Sequence, residues 1–180
     1  MKYLTTMALM LGLGVASVYA QQMNVNMTFS GNGGSSAIDL KQPNSNNVEE
    51  NVAGNGTLGP FTFRDIRAGA KLPQPSTTCS GAFFPGLAGG GIFRFQDGSL
   101  LKVRLKDGGD CIDFVHLIAR CTLVLEIQGG TGRFQNASGV LTYTEAAAPV
   151  LFDASGSVAL GTEVGEITGA ISGVGNQEDH

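Results

Sequence analysis

Four polar side chains share the apolar parity of segments that alternate with the two-residue period of half-buried strands. Asp65 falls in step with Phe61 and Phe63, Tyr143 and Glu145 with Leu141, and Glu163 with Ile167 and Ile171. A carboxyl group drawn into an apolar interior gains pKa and can serve as a general acid or base, so these four are the catalytic candidates of the chain. The bland alternative is that Asp65, Glu145 and Glu163 lie near strand ends, where an inward side chain reaches a wet rim and keeps ordinary acidity. That alternative is the expectation adopted, since a β-bulge alone would reverse the parity.

Other chemistry finds less support. Asp107, Asp110 and Asp113 recur every third residue, but a calcium loop needs six or more oxygens at set positions, and the trio reads as a solvated turn. His116 and His180 are the two histidines, one in an apolar run and one at the end of the chain, and they form no metal cluster; no Ser-His-Asp motif is recognisable. Gly129, Gly130 and Gly132 follow a strand, yet Phe134 and an alternating segment come next instead of the helix that a phosphate loop must open. No cofactor and no metal are therefore expected.

Cys79, Cys111 and Cys121 are too few for a disulfide framework, and one bond with one leftover thiol is expected in an oxidising compartment. Three pairings are open. If residues 111–121 were one strand, Cys111 and Cys121 would stand about 33 Å apart at about 3.3 Å per residue, far beyond the ~6.8 Å a disulfide tolerates. If the segment is a loop, Cys111 and Cys121 meet at its base. A turn at residues 107–110 favours the loop, hence Cys111 with Cys121 and Cys79 free.

These side chains must be positioned by many short strands. Charged residues make up 14% of the chain, tryptophan is absent and 27 glycines are present, a composition of strands and tight turns that lacks the helix formers and 3.6-residue spacing of helices. Alternation marks strands at 23–30, 61–68, 89–95, 99–106, 122–128, 138–145, 150–154 and 162–172. The clearest hairpin turns at Gln96, Asp97 and Gly98. Residues 31–55, rich in Asn, Ser and Gly, read as a long mobile loop, 71–80 with Pro73 and Pro75 as an irregular link, and 173–180 as a frayed tail. About eight strands, with no substantial helix after the first 20 residues, predict an all-β fold: a single small antiparallel barrel or a sandwich.

Residues 1–20 combine Lys2, an apolar run from about 7 to 18, and small residues at Ser17 and Ala20, the order of a cleavable secretory signal. The run is shorter than the ~18 apolar residues a membrane span requires. The expected product is one domain, residues 21–180, secreted or periplasmic and with no membrane contact after cleavage. Removing Lys2 leaves 10 basic and 15 acidic side chains, near −5, with no basic patch for nucleic acid. Sequons stand at Asn26, Asn55 and Asn136.

The corner Gly129, Gly130, Thr131, Gly132, with Phe134, Ala137 and Gly139 beyond it, resembles the signature corner of the dirigent proteins and allene oxide cyclases, which are eight-stranded calycin-like barrels. Residues 56–66 are similar to the segment that enters a cyclase strand, and residues 165–169 to a late strand in an uncharacterised secreted branch of that family. The resemblance implies a closed barrel. It implies either a non-catalytic binding or structural module with a small apolar ligand, or a cofactor-independent cyclase, isomerase or stereochemical guide for a small apolar or phenolic intermediate. The cyclase pattern expects a glutamate on the first strand, where this chain carries Asn24, Val25, Asn26 and Met27. The module is the reading adopted. The outer face gives no signal of an oligomer.

Overall fold

A computed structural model describes residues 22–175. The expected signal segment at 1–20, and residues 176–180 of the expected tail, lie outside them. Eight antiparallel strands follow one another around a closed barrel: β1 (Met23–Ser35), β2 (Ser45–Gly56), β3 (Phe61–Ala70), β4 (Ala82–Phe95), β5 (Leu100–Asp113), β6 (Ile118–Gly130), β7 (Ser138–Phe152) and β8 (Val158–Ser172), with β8 pairing back onto β1. The only described helix is a single 3-10 turn, Gly132–Phe134. The all-β barrel expected from the alternation is what the chain forms. Closure removes both sheet edges and gives every strand a face to bury.

Residues 31–55 are not one long loop. β1 runs on to Ser35 and β2 begins at Ser45, leaving only 36–44 as the connection. The polar composition misleads because alternate outward positions can be Asn, Ser or Gly at little cost while Val48, Glu50 and Val52 point inward. Residues 107–110 are likewise no turn: they continue β5 through a bulge between Leu105 and Asp107, and the chain reverses later, at 114–117. Pro149 is accommodated within β7, beside register shifts at Leu151.

The barrel has two unlike ends. At the lower end lies the glycine corner, where Phe134, wholly buried, plugs the interior against Phe95, with ring centroids 4.7 Å apart. Arg133 lies over both rings, pairs with Asp97 at 2.9 Å and donates to the Leu58 carbonyl at 2.6 Å. Of the expected tail, residues 173–175 stay close to this corner, where the Gly175 amide donates to the Arg133 carbonyl at 2.7 Å. Above the plug, Phe63 stacks on Phe93 at 4.0 Å and Phe29 on Tyr143 at 4.6 Å. These rings fit because glycine faces them: a Cβ on Gly91 would run into the Phe63 ring, and one on Gly165 into Phe29. The upper end carries the connections at 36–44, 71–81, 114–117 and 153–157.

Candidate functional site: a buried acid cluster under the upper mouth

Above the aromatic layers the inward positions become ionisable. β2 supplies Glu50, β3 Asp65 and Arg67, β7 Tyr143 and Glu145, and β8 Glu163, all at most 7% exposed. Asp110 and Cys121, paired across β5 and β6, complete the wall. Parity thus places Asp65, Tyr143, Glu145 and Glu163 inside, as the sequence indicates. The expectation that three of them are wet rim groups is overturned: the strands continue past Asp65, Glu145 and Glu163, so these acids sit below the mouth and are buried.

Arg67 is the hub. Its guanidinium contacts Glu50 closely, Asp65 at 3.3 Å, and both Asp110 and Glu145 at 3.4 Å. Gly89 leaves room for it, since a Cβ there would press on the Arg67 side chain. One cation cannot balance so many carboxylates in a medium that solvates charge poorly, so some of the acids keep their protons. Burial, with the Glu50 charge adding to it and Arg67 opposing it, pushes Asp65 up to about 8 and Glu145 up to about 9. Glu163 rises to about 8 for the same reasons.

Hydrogen-bond arithmetic agrees with this proton load. Tyr143 Oη lies 2.8 Å from Glu145 Oε2 and 3.1 Å from Glu50 Oε2, and a hydroxyl has one proton to give. If Tyr143 donates to Glu50, Glu145 must hold a proton and donate to Tyr143. Tyr143 thus links Glu145 and Glu50 in one hydrogen-bond chain. Burial also raises the Tyr143 phenol, so the ring stays neutral.

Glu163 differs from the rest. It forms no ion pair or hydrogen bond among the described residues, and its Oε2 is buried without a partner. Gly33 makes its space, since a Cβ there would occupy the site of the Glu163 carboxyl. A small cavity at the rim, lined by Ile118, Ala147 and Glu163 among others, brings open space to its flank.

Two triads have ligand-type atoms within 4.8 Å of one another: Glu50, Glu145 and Glu163, and Asp110, Cys121 and Glu145. Arg67 reaches members of both and supplies the positive charge that a cation would bring. Cys121 is buried, and burial pushes its thiol up, so it is no nucleophile.

The expected Cys111–Cys121 bond is not formed. Cys79 bonds Cys111, with Cα atoms 5.5 Å apart, and Cys121 is free. The register explains the correction. Cys111 opposes Arg120 while Cys121 opposes Asp110, and an offset of one residue puts the two thiols on opposite faces of the wall. Cys79, in the 71–81 connection, comes to the outer face instead.

Parity reading also missed Glu50, Arg67, Asp110 and Cys121, although Arg67 is in step with Phe63 and Cys121 with Leu123. Of the Asp107, Asp110 and Asp113 trio, only Asp110 joins the cluster. Asp113 caps the 114–117 turn, accepting from the amides of Val115 at 2.9 Å and His116 at 3.0 Å.

Outside the barrel, an open groove of about 1230 Å³ runs across β1 to β5. Ile66, Ala88 and Ile92 floor it, and Arg64, Arg94 and Lys102 fence it. Arg64 is held by Glu49 at 2.6 Å, whereas Arg94 and Lys102 have no acidic partner within 4.0 Å among the described residues. The three sequon asparagines are all exposed and sit toward the lower end.

In comparisons with known proteins, no family model, no curated protein and no solved structure matches this chain.

Proposed function

We propose that the chain is an exported, non-catalytic binding module of dirigent and allene oxide cyclase type, whose small, largely apolar ligand is taken on the outer wall. The observation that carries this reading is the filled interior. Aromatic rings occupy the lower barrel and the Arg67 cluster the upper, so protein side chains take up the inward positions where a reactive intermediate would have to be enclosed. The concavity of ligand size is the groove over β1 to β5, and its chemistry, an apolar floor at Ile66 and Ile92 beside unpaired Arg94 and Lys102, suits an apolar molecule bearing one acidic group. The Cys79–Cys111 bond is consistent with export to an oxidising compartment. The glycine corner and the closed eight-stranded barrel support the proposed kinship.

The test is a nuclear magnetic resonance titration with a panel of aliphatic carboxylates and phenols. Amide shifts should concentrate at Ile66, Ile92, Arg94 and Lys102; shifts centred on Leu123, Tyr143 and Ile167 would place the ligand inside and overturn the outer-wall site. A second reading, a cyclase or isomerase, draws on one observation: the Tyr143 hydroxyl stands within hydrogen-bond reach of both Glu145 and Glu50 inside the barrel. It requires turnover that Glu145→Gln and Tyr143→Phe abolish.

A further inference from the structure

Glu163 is a carboxyl built into the barrel with nothing to bind it. It is 5% exposed, its Oε2 has no hydrogen-bond partner, and it forms no ion pair among the described residues. Its room comes from the glycine at position 33, where a Cβ would fall on the carboxyl itself. Burying an acceptor without a donor destabilises a fold, so a side chain kept in that state marks a place where something outside the chain's own donors binds.

Its neighbours share the deficit. Glu50, Glu145 and Glu163 bring ligand atoms within 4.8 Å of one another. Arg67 takes Oε1 of Glu50 and Oε1 of Glu145, which leaves the two Oε2 atoms with the single proton of Tyr143 between them. With Asp65 and Asp110 the cluster holds five carboxyl groups and one guanidinium. Protons make up the difference in the metal-free chain. A second cation would make it up for all three glutamates at once and leave them ionised.

We propose that Glu50, Glu145 and Glu163 together bind one calcium ion inside the upper barrel. The site is separate from the outer groove, does not depend on it, and departs from the expectation of no metal. The donors select the ion. Three carboxylates with no imidazole and no thiol suit a hard cation. Calcium takes about six to eight oxygens at about 2.3–2.6 Å, so oxygens on one ion can stand up to about 5 Å apart, as the three glutamates do. Magnesium keeps several waters in a strict octahedron, which walls at most 7% exposed do not accommodate. Arg67 and Tyr143 hold the ligands from behind, and the rim cavity of about 240 Å³ beside Glu163 gives the ion and its remaining water a way in. The other triad, Asp110, Cys121 and Glu145, has no unpartnered member of this kind, since both of its carboxylates lie against Arg67.

The test is calorimetric titration of calcium, with terbium luminescence, on the full chain after dialysis against EDTA. Terbium occupies calcium sites and is excited through a nearby tyrosine; Tyr143 is the only tyrosine among the described residues and touches two of the three acids. The wild type should bind one calcium per chain, melt at a higher temperature in its presence, and show tyrosine-excited terbium emission that calcium displaces. Glu163→Gln should lose at least about tenfold in calcium affinity, and Tyr143→Phe should abolish the emission. Asp107→Asn with Asp113→Asn, which alters acids on the outer surface, should bind as the wild type does. No calcium binding by the wild type, affinity unchanged in Glu163→Gln, binding lost in the surface variant, emission that survives Tyr143→Phe, or a preference for magnesium would each overturn the proposal. In EDTA Glu163→Gln should be no less stable than the wild type, which tells a lost ligand from a folding defect, and Glu145→Gln, read in the same way, is the second variant.

Discussion

Glu163→Gln isolates the cost of a buried carboxyl with no partner. In the folded protein this acid rises from 4.5 to about 8, through burial first and the Glu50 charge second. A folded pKa above the unfolded one means that the native state holds the proton longer. The group therefore contributes its full stability below about pH 4.5 and loses it as pH climbs to about 8. At about 1.4 kcal/mol per pH unit the whole rise would correspond to about 5 kcal/mol. The rim cavity beside Glu163 admits screening by water, which reduces this to about 2–3 kcal/mol. Glutamine has the same shape and no proton to lose. Wild type and variant should thus match within about 0.5 kcal/mol at pH 5, and the variant should be the more stable by about 2–3 kcal/mol at pH 9. Urea unfolding followed by far-ultraviolet circular dichroism suits a chain with no tryptophan. A variant equally or more destabilised at pH 9 than at pH 5 would refute the reasoning, because Glu163 would then be an ionised and stabilising group.

Arg67→Ala should cost about 3–5 kcal/mol at pH 7, because it removes the cation that Glu50, Asp65, Asp110 and Glu145 share, and a loss under about 1 kcal/mol would contradict the cluster's electrostatics. Cys79→Ser should cost about 3–4 kcal/mol from the loop that the bond closes across a separation of 32 residues. Peptide mapping of the same variant should find Cys111 free, and Cys121 should resist alkylation until urea unfolds the barrel. A Cys111–Cys121 bond in the wild type would refute the register.

The barrel class and the inward face were legible because side chains alternate with a period of two, as Phe61, Phe63 and Asp65 do, but the eight strands read from the sequence omitted β2 and divided β7 into 138–145 and 150–154. Depth was not legible. Whether Asp65 or Glu163 ends at a rim or under one depends on how far β3 and β8 run past the last clear alternation, which partner strands decide through register. Glu50 was hidden by polar neighbours that occupy the outer face of β2. Arg67 was in step with the core, but a cation becomes an inward residue only when acids from β2, β5 and β7 surround it, and nothing local in residues 61–68 announces them. The cysteine pairing failed on an offset of one residue, which no spacing along a single segment can reveal.

The account rests most directly on the claim that ligand binds the wall and leaves the interior alone. Calorimetric titration of dodecanoic acid into four proteins decides it: wild type, Arg94→Ala with Lys102→Ala, Asp65→Asn and Glu145→Gln. Loss of the two wall cations should weaken binding by about tenfold or more, as loss of charge-assisted contacts does, while the two interior amides should bind within about twofold of wild type. The opposite pattern, affinity that survives loss of Arg94 and Lys102 but falls with Asp65 or Glu145, would contradict the outer-wall site and place the working site inside the barrel.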